Sequence, residues 1–402
     1  MIPLEDLKAL ARPAKTKIVL LVMDGVGGLP RPFDGKTELE AAATPNLDAL
    51  AARSSLGLAD PVAPGITPGS GPGHLGVFGY DPLQYRIGRG VLEAVGIDIA
   101  MTDQDLAARG NFCAVDGEGL ITDRRAGRIP TEICARLCTL LEKIRIPGIE
   151  LIVKPVREHR FVVLFRGAGL EEGLSETDPQ EVGKPPLPVR AELTHAERAA
   201  EVANQFAAEA RKALAAEHPA NMVLLRGFSR YPKISKLTDL YGLRAGVIAI
   251  YPMYRGLARL VGMEPIKAGG DTVADEFAAL EKHFAGYDFF FMHIKKTDSY
   301  GEDGSFEKKV HVVEEVDREL PRLLALKPDV IVVTGDHSTP ALFKAHSWHP
   351  VPVLLWSKWV RPDGAQGFCE RTCRFGSLGR LRAAELMPII MSNAERLTKF
   401  GA

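Results

Sequence analysis

Three short apolar runs each lead into a carboxylate, and this pattern constrains the fold more than any other feature of the chain. KIVLLVMDG reaches Asp24, FFFMHIKKTD reaches Asp298, and VIVVTGDH reaches Asp336 and His337. Runs this short and apolar are typical of buried strands. Ligands of open α/β sheets bind beyond the carboxyl ends of the strands. The pattern therefore predicts that these four side chains meet, and together they have the composition of a metal site.

The two ends of the chain share a second pattern, in which apolar strand-like runs alternate with helical patterns. The alternation continues as far as VPVLLWS at residues 351–357. It is typical of βα units and a largely parallel sheet. We therefore expect residues 1–89 and 236–402 to form one discontinuous α/β domain with a doubly wound, mostly parallel sheet.

The middle of the chain, residues 90–235, has a different texture. Its strand candidates are shorter (LIVKPV, RFVVLFRG and NMVLLRG), a proline-rich stretch KPPLPV follows, and a long Ala/Glu-rich helix is predicted from Thr194 to about Glu217. Arginines are frequent in this part. We interpret it as an inserted, smaller α+β lobe that could close on a substrate.

The composition of the chain limits the classes of function that it could have. A formal net charge of -1 over 402 residues argues against a dedicated nucleic-acid or membrane-surface binder, so a small molecule is the expected partner. The N-terminal residues MIPLEDLKAL lack the layout of a signal peptide, and no run approaches the ~20 apolar residues of a spanning helix. We expect a cytoplasmic protein without a membrane partner. The five cysteines include no C-x-x-C pair and are expected to be reduced.

A glycine-rich loop, GITPGSGPGHLGVFGYDP at residues 65–82, holds a candidate nucleophile. Ser70 lies between Gly69 and Gly71, with His74 four residues further on. Glycines permit unusual backbone angles and close approach of the chain to an anionic group. A serine held there beside a divalent cation can become a nucleophile. The alternative is a flexible surface turn.

The segment GDHSTPALFKAHSWHP adds further metal-binding groups. His346 and His349 follow Asp336 and His337 closely, in a chain with ten histidines. Oxygen-rich sites with a few imidazoles suit Mn, Mg or Zn, and two such ions a few Å apart can clamp an in-line phosphoryl transfer. The alternative is a set of loop histidines that cap helix ends.

Taken together, these segments carry a family resemblance. LVMDGVGG, the ITPGS…H…GYDP loop, GRGVLEAVGI, TDRRAGRI, LLRG, HIKKTD…DG and VVTGDHSTP…KAHS…PVP occur in this order along nearly the whole chain. The chain resembles the archaeal-type cofactor-independent phosphoglycerate mutases, a branch of the alkaline phosphatase superfamily. The resemblance implies a sheet of alkaline phosphatase type with an inserted cap. It also implies interconversion of 3-phosphoglycerate and 2-phosphoglycerate in glycolysis and gluconeogenesis, through a phosphoserine and without 2,3-bisphosphoglycerate.

The resemblance further implies a site with two divalent metal ions. Mn²⁺ or Mg²⁺ would be preferred, with Zn²⁺ as the alternative. The catalytic residue would be Ser70, which attacks the phosphate of the substrate. One ion would be held by Asp24, Ser70, Asp336 and His337, and the other by Asp298, Glu302 and His346.

The arginines of the middle lobe suit the substrate that the resemblance implies. A phosphoglycerate carries a carboxylate and a phosphate, and guanidinium groups bind both in bidentate fashion. We expect Arg125, Arg128 and Arg226 to contact the substrate, with Asp123 for a glycerate hydroxyl. Each of these side chains, taken alone, could instead be a solvated surface charge.

The chain departs from the family pattern beside the expected metal ligands. The family has TD-x-x-G-H-DG, whereas this chain has TDSYGEDG, so Glu302 stands in place of a histidine. An anionic oxygen favours the harder Mg or Mn over Zn. His349, found where an aspartate is common, is the other residue that could replace the imidazole.

These departures keep two other functions open. One is a metal-dependent phosphatase or phosphotransferase that acts on another small phosphorylated metabolite. The other is a catalytically silent relative that binds a metal or ligand. An oligomer is compatible with the sequence.

Overall fold

The computed structural model describes residues 2–401, which form two compact units. The first unit contains the chain up to Arg86 and again from Ile234, and the second contains Ile87–Lys233. The first has an eight-stranded, mostly parallel sheet and the second a smaller antiparallel sheet of five strands. The predicted fold class is therefore confirmed: an α/β protein with a doubly wound, mostly parallel sheet and a smaller α+β part.

The strands are numbered in chain order. They are β1 Ile18–Met23, β2 Ser55–Asp60, β3 Asp105–Val115, β4 Ile121–Asp123, β5 Glu150–Arg157, β6 Arg160–Arg166, β7 Met222–Arg230, β8 Ala245–Ala249, β9 Glu264–Ile266, β10 Phe289–Ile294, β11 Val330–Thr334, β12 Val351–Ser357 and β13 Gly379–Arg382.

The α-helices are numbered in the same way. They are α1 Leu4–Leu10, α2 Glu38–Ala41, α3 Pro45–Ala51, α4 Ser70–Val77, α5 Arg89–Gly96, α6 Thr131–Leu141, α7 Glu197–Ala213, α8 Leu237–Tyr241, α9 Pro252–Leu260, α10 Val273–His283, α11 Lys296–Glu302, α12 Phe306–Ala325, α13 Glu370–Cys373 and α14 Leu386–Asn393. Short 3₁₀ turns occupy Ala126–Arg128, Thr194–Ala196, Phe284–Gly286 and Ala383–Glu385.

The sheet of the first unit has the strand order β13-β2-β12-β11-β1-β10-β8-β9. β1 lies at its centre, parallel to β10 and β11, and all six of its residues are buried. A strand covered on both faces reads as a continuous apolar run, as the sequence of β1 does. Met23 pairs with Ile294, and Val22 pairs with Thr334. The carboxyl ends of the three strands are thus level, and the segments that follow them start from one edge of the sheet.

β12 departs from the predicted alternation. It runs antiparallel to both β11 and β2. A parallel strand needs a crossover connection, usually a helix, but residues 335–350 between β11 and β12 contain no helix. The prediction that strand and helix alternate up to VPVLLWS is therefore wrong at this last step.

The second unit is built on the central strand β3, which pairs with β4, β6 and β7. The predicted runs LIVKPV, RFVVLFRG and NMVLLRG form β5, β6 and β7. The long predicted helix starts as a 3₁₀ turn at Thr194 and ends as α7 at Ala213, before Glu217. One face of the sheet packs on α6 and α7 through a core that includes Phe112, Phe161 and Phe206.

Within residues 2–401, none of the helices is both long enough and apolar enough to cross a lipid bilayer.

Candidate metal centre

The first predicted ligand set converges beyond the strand ends of the first unit. Asp24 follows β1, Asp336 and His337 follow β11, and all three side chains are fully buried. His337 Nε2 lies 3.1 Å from Asp24 Oδ1 and 3.2 Å from Asp336 Oδ2. Neither of these oxygens has a hydrogen-bond partner among the described residues. Buried polar atoms are nearly always satisfied, so two orphaned carboxylate oxygens facing an imidazole nitrogen fit a divalent cation.

Ser70 is the first residue of α4, and its Oγ lies 3.3 Å from His337 Nε2. Gly69 has ordinary extended angles, with φ at -84°, so the glycines are not needed there for a strained turn. The glycine that matters is Gly73, where a Cβ would lie 2.2 Å from the carbonyl oxygen of Asp336. The missing side chain lets α4 approach the end of β11. The free amide groups of the first helical turn favour an anion beside Ser70.

The second predicted ligand set involves a helix rather than a strand end. β10 ends at Ile294, and Asp298 and Glu302 lie on α11, where a spacing of four residues puts them on one face. His346 Nε2 lies 3.5 Å from Asp298 Oδ1 and 3.7 Å from Glu302 Oε1. His346 Nδ1 lies 2.8 Å from the carbonyl oxygen of Pro68, and this contact orients the ring. Asp298, His337 and His346 thus present closely spaced ligand atoms.

His349 is placed differently from the other predicted ligands. Its Nδ1 lies 3.1 Å from Ser347 Oγ, and its ring stacks on Trp348 with centroids 5.1 Å apart. Neither His349 nor Glu302 belongs to a group of converging ligand atoms found among residues 2–401, but Glu302 Oε1 lies 3.7 Å from His346 Nε2. Of the two candidates to replace the expected imidazole, only Glu302 has a contact of this kind with His346 within the described residues.

Lys295 lies between the two ligand sets and was not predicted from the sequence. Its Nζ is 3.0 Å from Asp24 Oδ2 and 2.5 Å from Asp298 Oδ2. Burial would lower the pKa of Lys295, but Asp24, Tyr254 and Asp298 outweigh burial and raise it. The ammonium group therefore stays charged. The signal in the sequence was a lysine directly after a buried apolar run.

The electrostatics of the pocket favour positive charge. Burial would lower the pKa of His337, but Asp336, Asp24 and Asp298 raise it to about 9. Burial would likewise raise the pKa of Asp24, yet Lys295 and the two histidines beside it hold this pKa well below the usual value. Carboxylates that stay ionised when buried need compensating cations. The same field that protonates an imidazole in this pocket would attract a metal ion.

Two further histidines lie beside the carboxylates of Asp24 and Asp336. His293 Nε2 lies 3.1 Å from Asp24 Oδ2. His74 Nδ1 lies 3.0 Å from Asp336 Oδ2, but its hydrogen bond is to the carbonyl oxygen of Ser70 at 2.8 Å. Tyr254 stacks on His293 with ring centroids 3.8 Å apart. Such partners orient ligating carboxylates. His74 was visible in the sequence near Ser70 but had no predicted role, and His293 was missed because its only signal was an imidazole inside an apolar strand.

The four predicted substrate residues all belong to the second unit. Asp123 accepts hydrogen bonds from the backbone N–H groups of Arg125 (2.7 Å) and Gly127 (2.6 Å). Its carboxylate therefore stabilises the turn that follows it in the chain. Arg125 and Arg128 are exposed. Arg226 Nε donates to Glu176 Oε2 at 2.8 Å. Arg226 therefore has a carboxylate partner within its own unit.

The fold and the convergent side chains define a class: an α/β protein with a candidate two-metal centre beside a serine. A family model described as 2,3-bisphosphoglycerate-independent phosphoglycerate mutase matches residues 51–221. A probable mutase of that name from Thermotoga neapolitana is 52% identical over 389 residues, 96% of each chain. One from Aquifex aeolicus is 49% identical over 409 residues, covering 99% of this chain and 100% of the relative. The chain belongs to the family of 2,3-bisphosphoglycerate-independent phosphoglycerate mutases.

Solved structures agree with this assignment. A protein from Pyrococcus horikoshii superimposes with a TM-score of 0.84 at 30% identity, over 97% of this chain and 100% of the other. The cofactor-independent phosphoglycerate mutase from Thermoplasma acidophilum gives a TM-score of 0.75 at 30% identity, over 94% of this chain and 100% of the other.

Proposed function

We propose that the protein interconverts 3-phosphoglycerate and 2-phosphoglycerate through a phosphoserine at Ser70, without 2,3-bisphosphoglycerate. The observation that carries the proposal is the convergence of Ser70 Oγ and two unpartnered carboxylate oxygens, from Asp24 and Asp336, around His337 Nε2. Relatives about half identical over nearly the whole chain carry the mutase name. These relatives favour the mutase over a phosphatase, a phosphotransferase for another metabolite or a silent relative.

The residues fit two divalent cations, for which Mn²⁺ or Mg²⁺ is the first choice because Glu302 adds an anionic oxygen where the family has an imidazole. When bound, such ions supply positive charge that favours the serine alkoxide and stabilises a phosphoryl group in transfer. One ion would be held by Asp24, Ser70, Asp336 and His337, and the other by Asp298, Glu302 and His346.

Ser70 carries the covalent step. Its hydroxyl loses its proton and Oγ forms a bond to phosphorus while the bond from phosphorus to the glycerate oxygen breaks, and that oxygen takes up a proton. The other glycerate hydroxyl then loses its proton as it attacks the phosphoserine, and Ser70 Oγ is released. The first-turn amide groups of α4 face the anion during both transfers.

The second unit, predicted as residues 90–235, is proposed to bind the substrate and to exclude water. Arg125, Arg128 and Arg226 would pair with the anionic groups of the substrate, and Asp123 would accept a hydrogen bond from a glycerate hydroxyl. Exclusion of water matters because water attacking the phosphoserine would turn the mutase into a phosphatase. We also propose a role in glycolysis and gluconeogenesis, in the cytoplasm where these substrates occur.

An enolase-coupled assay tests the proposal. The protein is given Mn²⁺ or Mg²⁺ and 3-phosphoglycerate without 2,3-bisphosphoglycerate, and free phosphate is followed in parallel. Formation of 2-phosphoglycerate without release of phosphate is expected. Phosphate release alone would identify a phosphatase. Inactivity in both measurements would remove phosphoglycerate as the substrate.

A further inference from the structure

The hydroxyl group of Thr339 connects the two candidate ligand sets of the first unit. Thr339 Oγ1 donates to Asp298 Oδ1 at 2.6 Å and lies 2.9 Å from His337 Nδ1. The direct distance from His337 Nδ1 to Asp298 Oδ1 is 3.9 Å, which is too long for a hydrogen bond. All three side chains are buried. A residue of the first set and a residue of the second are therefore linked through one buried hydroxyl group.

The backbone of Thr339 is held in place by contacts with three other segments. Its N–H group donates to the carbonyl oxygen of Gly25 at 3.1 Å, and its own carbonyl oxygen accepts from Lys309 Nζ at 2.8 Å. Helix α11 packs closely on the same carbonyl oxygen, because a Cβ at Gly301 would lie 2.2 Å from it. A Cβ at Gly25 would lie 2.5 Å from Thr339 Oγ1. The position of the hydroxyl group is therefore set by packing and by backbone hydrogen bonds.

The protons of this link can be assigned by counting donors and acceptors. A hydroxyl group has one proton to donate, and a carboxylate can only accept. The proton of Thr339 is therefore used in the short contact with Asp298, which also accepts from Lys295 Nζ. His337 Nδ1 must then carry a proton and donate it to Thr339 Oγ1. A neutral imidazole has one ring proton, so Nε2 of the neutral ring keeps its lone pair.

The Nε2 atom of His337 faces atoms that suit a cation. It lies 3.1 Å from Asp24 Oδ1, 3.2 Å from Asp336 Oδ2 and 3.3 Å from Ser70 Oγ. The two carboxylate oxygens have no hydrogen-bond partner in the described part of the chain. Histidines bind metal ions as neutral imidazoles, through a ring nitrogen that has a free lone pair. The proton on Nδ1 thus makes Nε2 available to the first ligand set and Nδ1 unavailable to the second.

We infer that Thr339 is a positioning residue of the metal centre. Its hydroxyl group fixes the Nδ1–H form of His337, so that Nε2 is the ligand atom of the first set, and it orients Asp298 in the second set. The inference rests on the proposed function, because the two ions belong to that proposal. Loss of a group that fixes the tautomer of a ligating histidine typically weakens metal binding by about 10- to 100-fold.

Calorimetric titration of the metal-free, full-length protein with Mn²⁺ tests the inference. Thr339→Val replaces the hydroxyl group by a methyl group of similar size and keeps the backbone contacts. It should bind at least one of the two ions about tenfold or more weakly than the parent. Thr339→Ser keeps a hydroxyl group at this position and should restore binding to within about threefold of the parent.

Thr334 provides a matched control in the same segment. It is buried at the end of β11, and its Oγ1 donates to backbone carbonyl oxygens, those of Pro352 at 2.9 Å and Gly335 at 3.4 Å. Among residues 2–401 its hydroxyl group makes no hydrogen bond to a candidate ligand side chain. Thr334→Val therefore removes the same chemical group without touching a ligand. It should bind both ions as the parent does, even if its unfolding temperature falls.

The tautomer of His337 is a readout that a merely structural role would not change. Proton–nitrogen NMR spectra of protein labelled with ¹⁵N at histidine show which ring nitrogen carries a proton. Zn²⁺ is the probe ion here, because Mn²⁺ is paramagnetic. The parent loaded with Zn²⁺ should show a proton on Nδ1 of His337 and none on Nε2, in a signal that is absent from His337→Gln. The Nδ1–H proton should move upfield in Thr339→Val, where it has lost its acceptor, and stay in place in Thr334→Val.

Three results would overturn the inference. They are a proton on Nε2 of His337 in the Zn²⁺-loaded parent, Mn²⁺ binding in Thr339→Val as tight as in the parent, and failure of Thr339→Ser to restore binding. If Thr339→Val does not fold, the spectrum of the parent and the titration of Thr339→Ser still decide the question.

Failure of the proposed function gives a different pattern. If the parent binds no ions, the metal centre fails and the inference fails with it. If the parent binds two ions and has the Nδ1–H signal but forms no 2-phosphoglycerate, the mutase reaction fails and the role of Thr339 stands. If the parent forms 2-phosphoglycerate and Thr339→Val binds Mn²⁺ normally, only the role of Thr339 fails.

Discussion

The imidazole rings of His337 and His346 stack, with centroids 3.7 Å apart and an interplanar angle of 22°. His337 Nε2 faces Asp24 and Asp336, whereas His337 Nδ1 lies 3.9 Å from Asp298 Oδ1, in the second ligand set. His337 therefore lies next to both ligand sets, and the ring of His346 stacks on it. His337 is the one residue that the two ligand sets have in common among residues 2–401.

Substitution of the proposed nucleophile Ser70 should abolish the reaction without disturbing the fold. Ser70→Ala is expected to lower the rate of phosphoryl transfer by more than about a thousandfold, because no other hydroxyl would take the phosphoryl group. The fold and the metal content should stay nearly intact, since Asp24, Asp336 and His337 remain. The coupled assay and metal analysis measure both effects. Ser305→Ala is a control, because the Ser305 side chain makes no cap hydrogen bond to α12. Activity retained in Ser70→Ala would refute the phosphoserine.

The unusual carboxylate of the second ligand set can be tested with paired variants. Glu302→Gln should weaken Mn²⁺ binding at one site by about tenfold or more and leave the other site nearly unchanged, because it removes one anionic ligand. His349→Gln should bind both ions as the parent does. Calorimetric titration of the metal-free proteins with Mn²⁺ measures both sites. The reverse pattern, with loss only in His349→Gln, would make His349 the ligand.

A buried lysine forms hydrogen bonds to the loops that carry the candidate metal ligands. Lys309 of α12 is fully buried, and its Nζ donates to the carbonyl oxygens of Gly25 (2.9 Å), Gly27 (3.2 Å) and Thr339 (2.8 Å). Gly25 follows Asp24 directly, and Thr339 Oγ1 donates to Asp298 Oδ1 at 2.6 Å. The ammonium group thus links the segments after β1 and β11.

Loss of this ammonium group should be costly. Lys309→Met would leave the buried carbonyl groups of Gly27 and Thr339 without this donor and would remove the ammonium group 3.7 Å from the buried carboxylate of Glu38, whereas the carbonyl of Gly25 keeps the backbone N–H of Thr339. The free energy of unfolding is expected to fall by about 3–5 kcal/mol. The exposed neighbour provides the control, since Lys308→Met should change stability by less than about 0.5 kcal/mol. Urea denaturation of both variants measures the difference. Equal stability of the two variants would show that the carbonyl groups find other donors.

His159 should make the second unit sensitive to acid. Burial and the charge of Arg160 lower its pKa in the folded protein to about 4, below the ~6.5 of an unfolded chain, so folding favours the neutral ring. This contribution is fully present above pH ~6.5 and is lost as the pH falls towards 4, at most about 3 kcal/mol in all. His159→Gln should therefore lose less unfolding free energy than the parent between pH 7 and pH 4.5. Urea denaturation in the presence of a chelator measures this, and identical pH dependence in both proteins would contradict the assignment.

The sequence predicted the first ligand set because each of its members directly follows a buried apolar strand. The carboxyl ends of parallel strands meet at one edge of the sheet. The convergence of Asp24, Asp336 and His337 could therefore be predicted from the positions of the strand ends alone. Asp298 was also predicted to join them, although it lies on α11 beyond the end of β10. Lys295 was missed because a lysine after a strand gives no sign of the carboxylates that it will contact.

The pairing of Arg109 with Arg226 shows a second limit of sequence reasoning. Arg226 was predicted through the segment LLRG, but its neighbour Arg109 lies in no segment of the resemblance. Only the register of β3 against β7 puts the two residues opposite each other. Such pairing joins residues far apart in the chain, and the alternation of side chains within one strand does not determine its partner.

The strand order of the first unit has a consequence for how the protein is made. β1 lies between β10 and β11, and β2 lies between β12 and β13. The six apolar residues of β1 therefore leave the ribosome long before either neighbouring strand exists. The second unit, a single continuous stretch from Ile87 to Lys233, has all of its strands available much earlier. Nascent chains of this protein are thus expected to pass through a stage in which the second unit is folded and β1 depends on chaperones for protection.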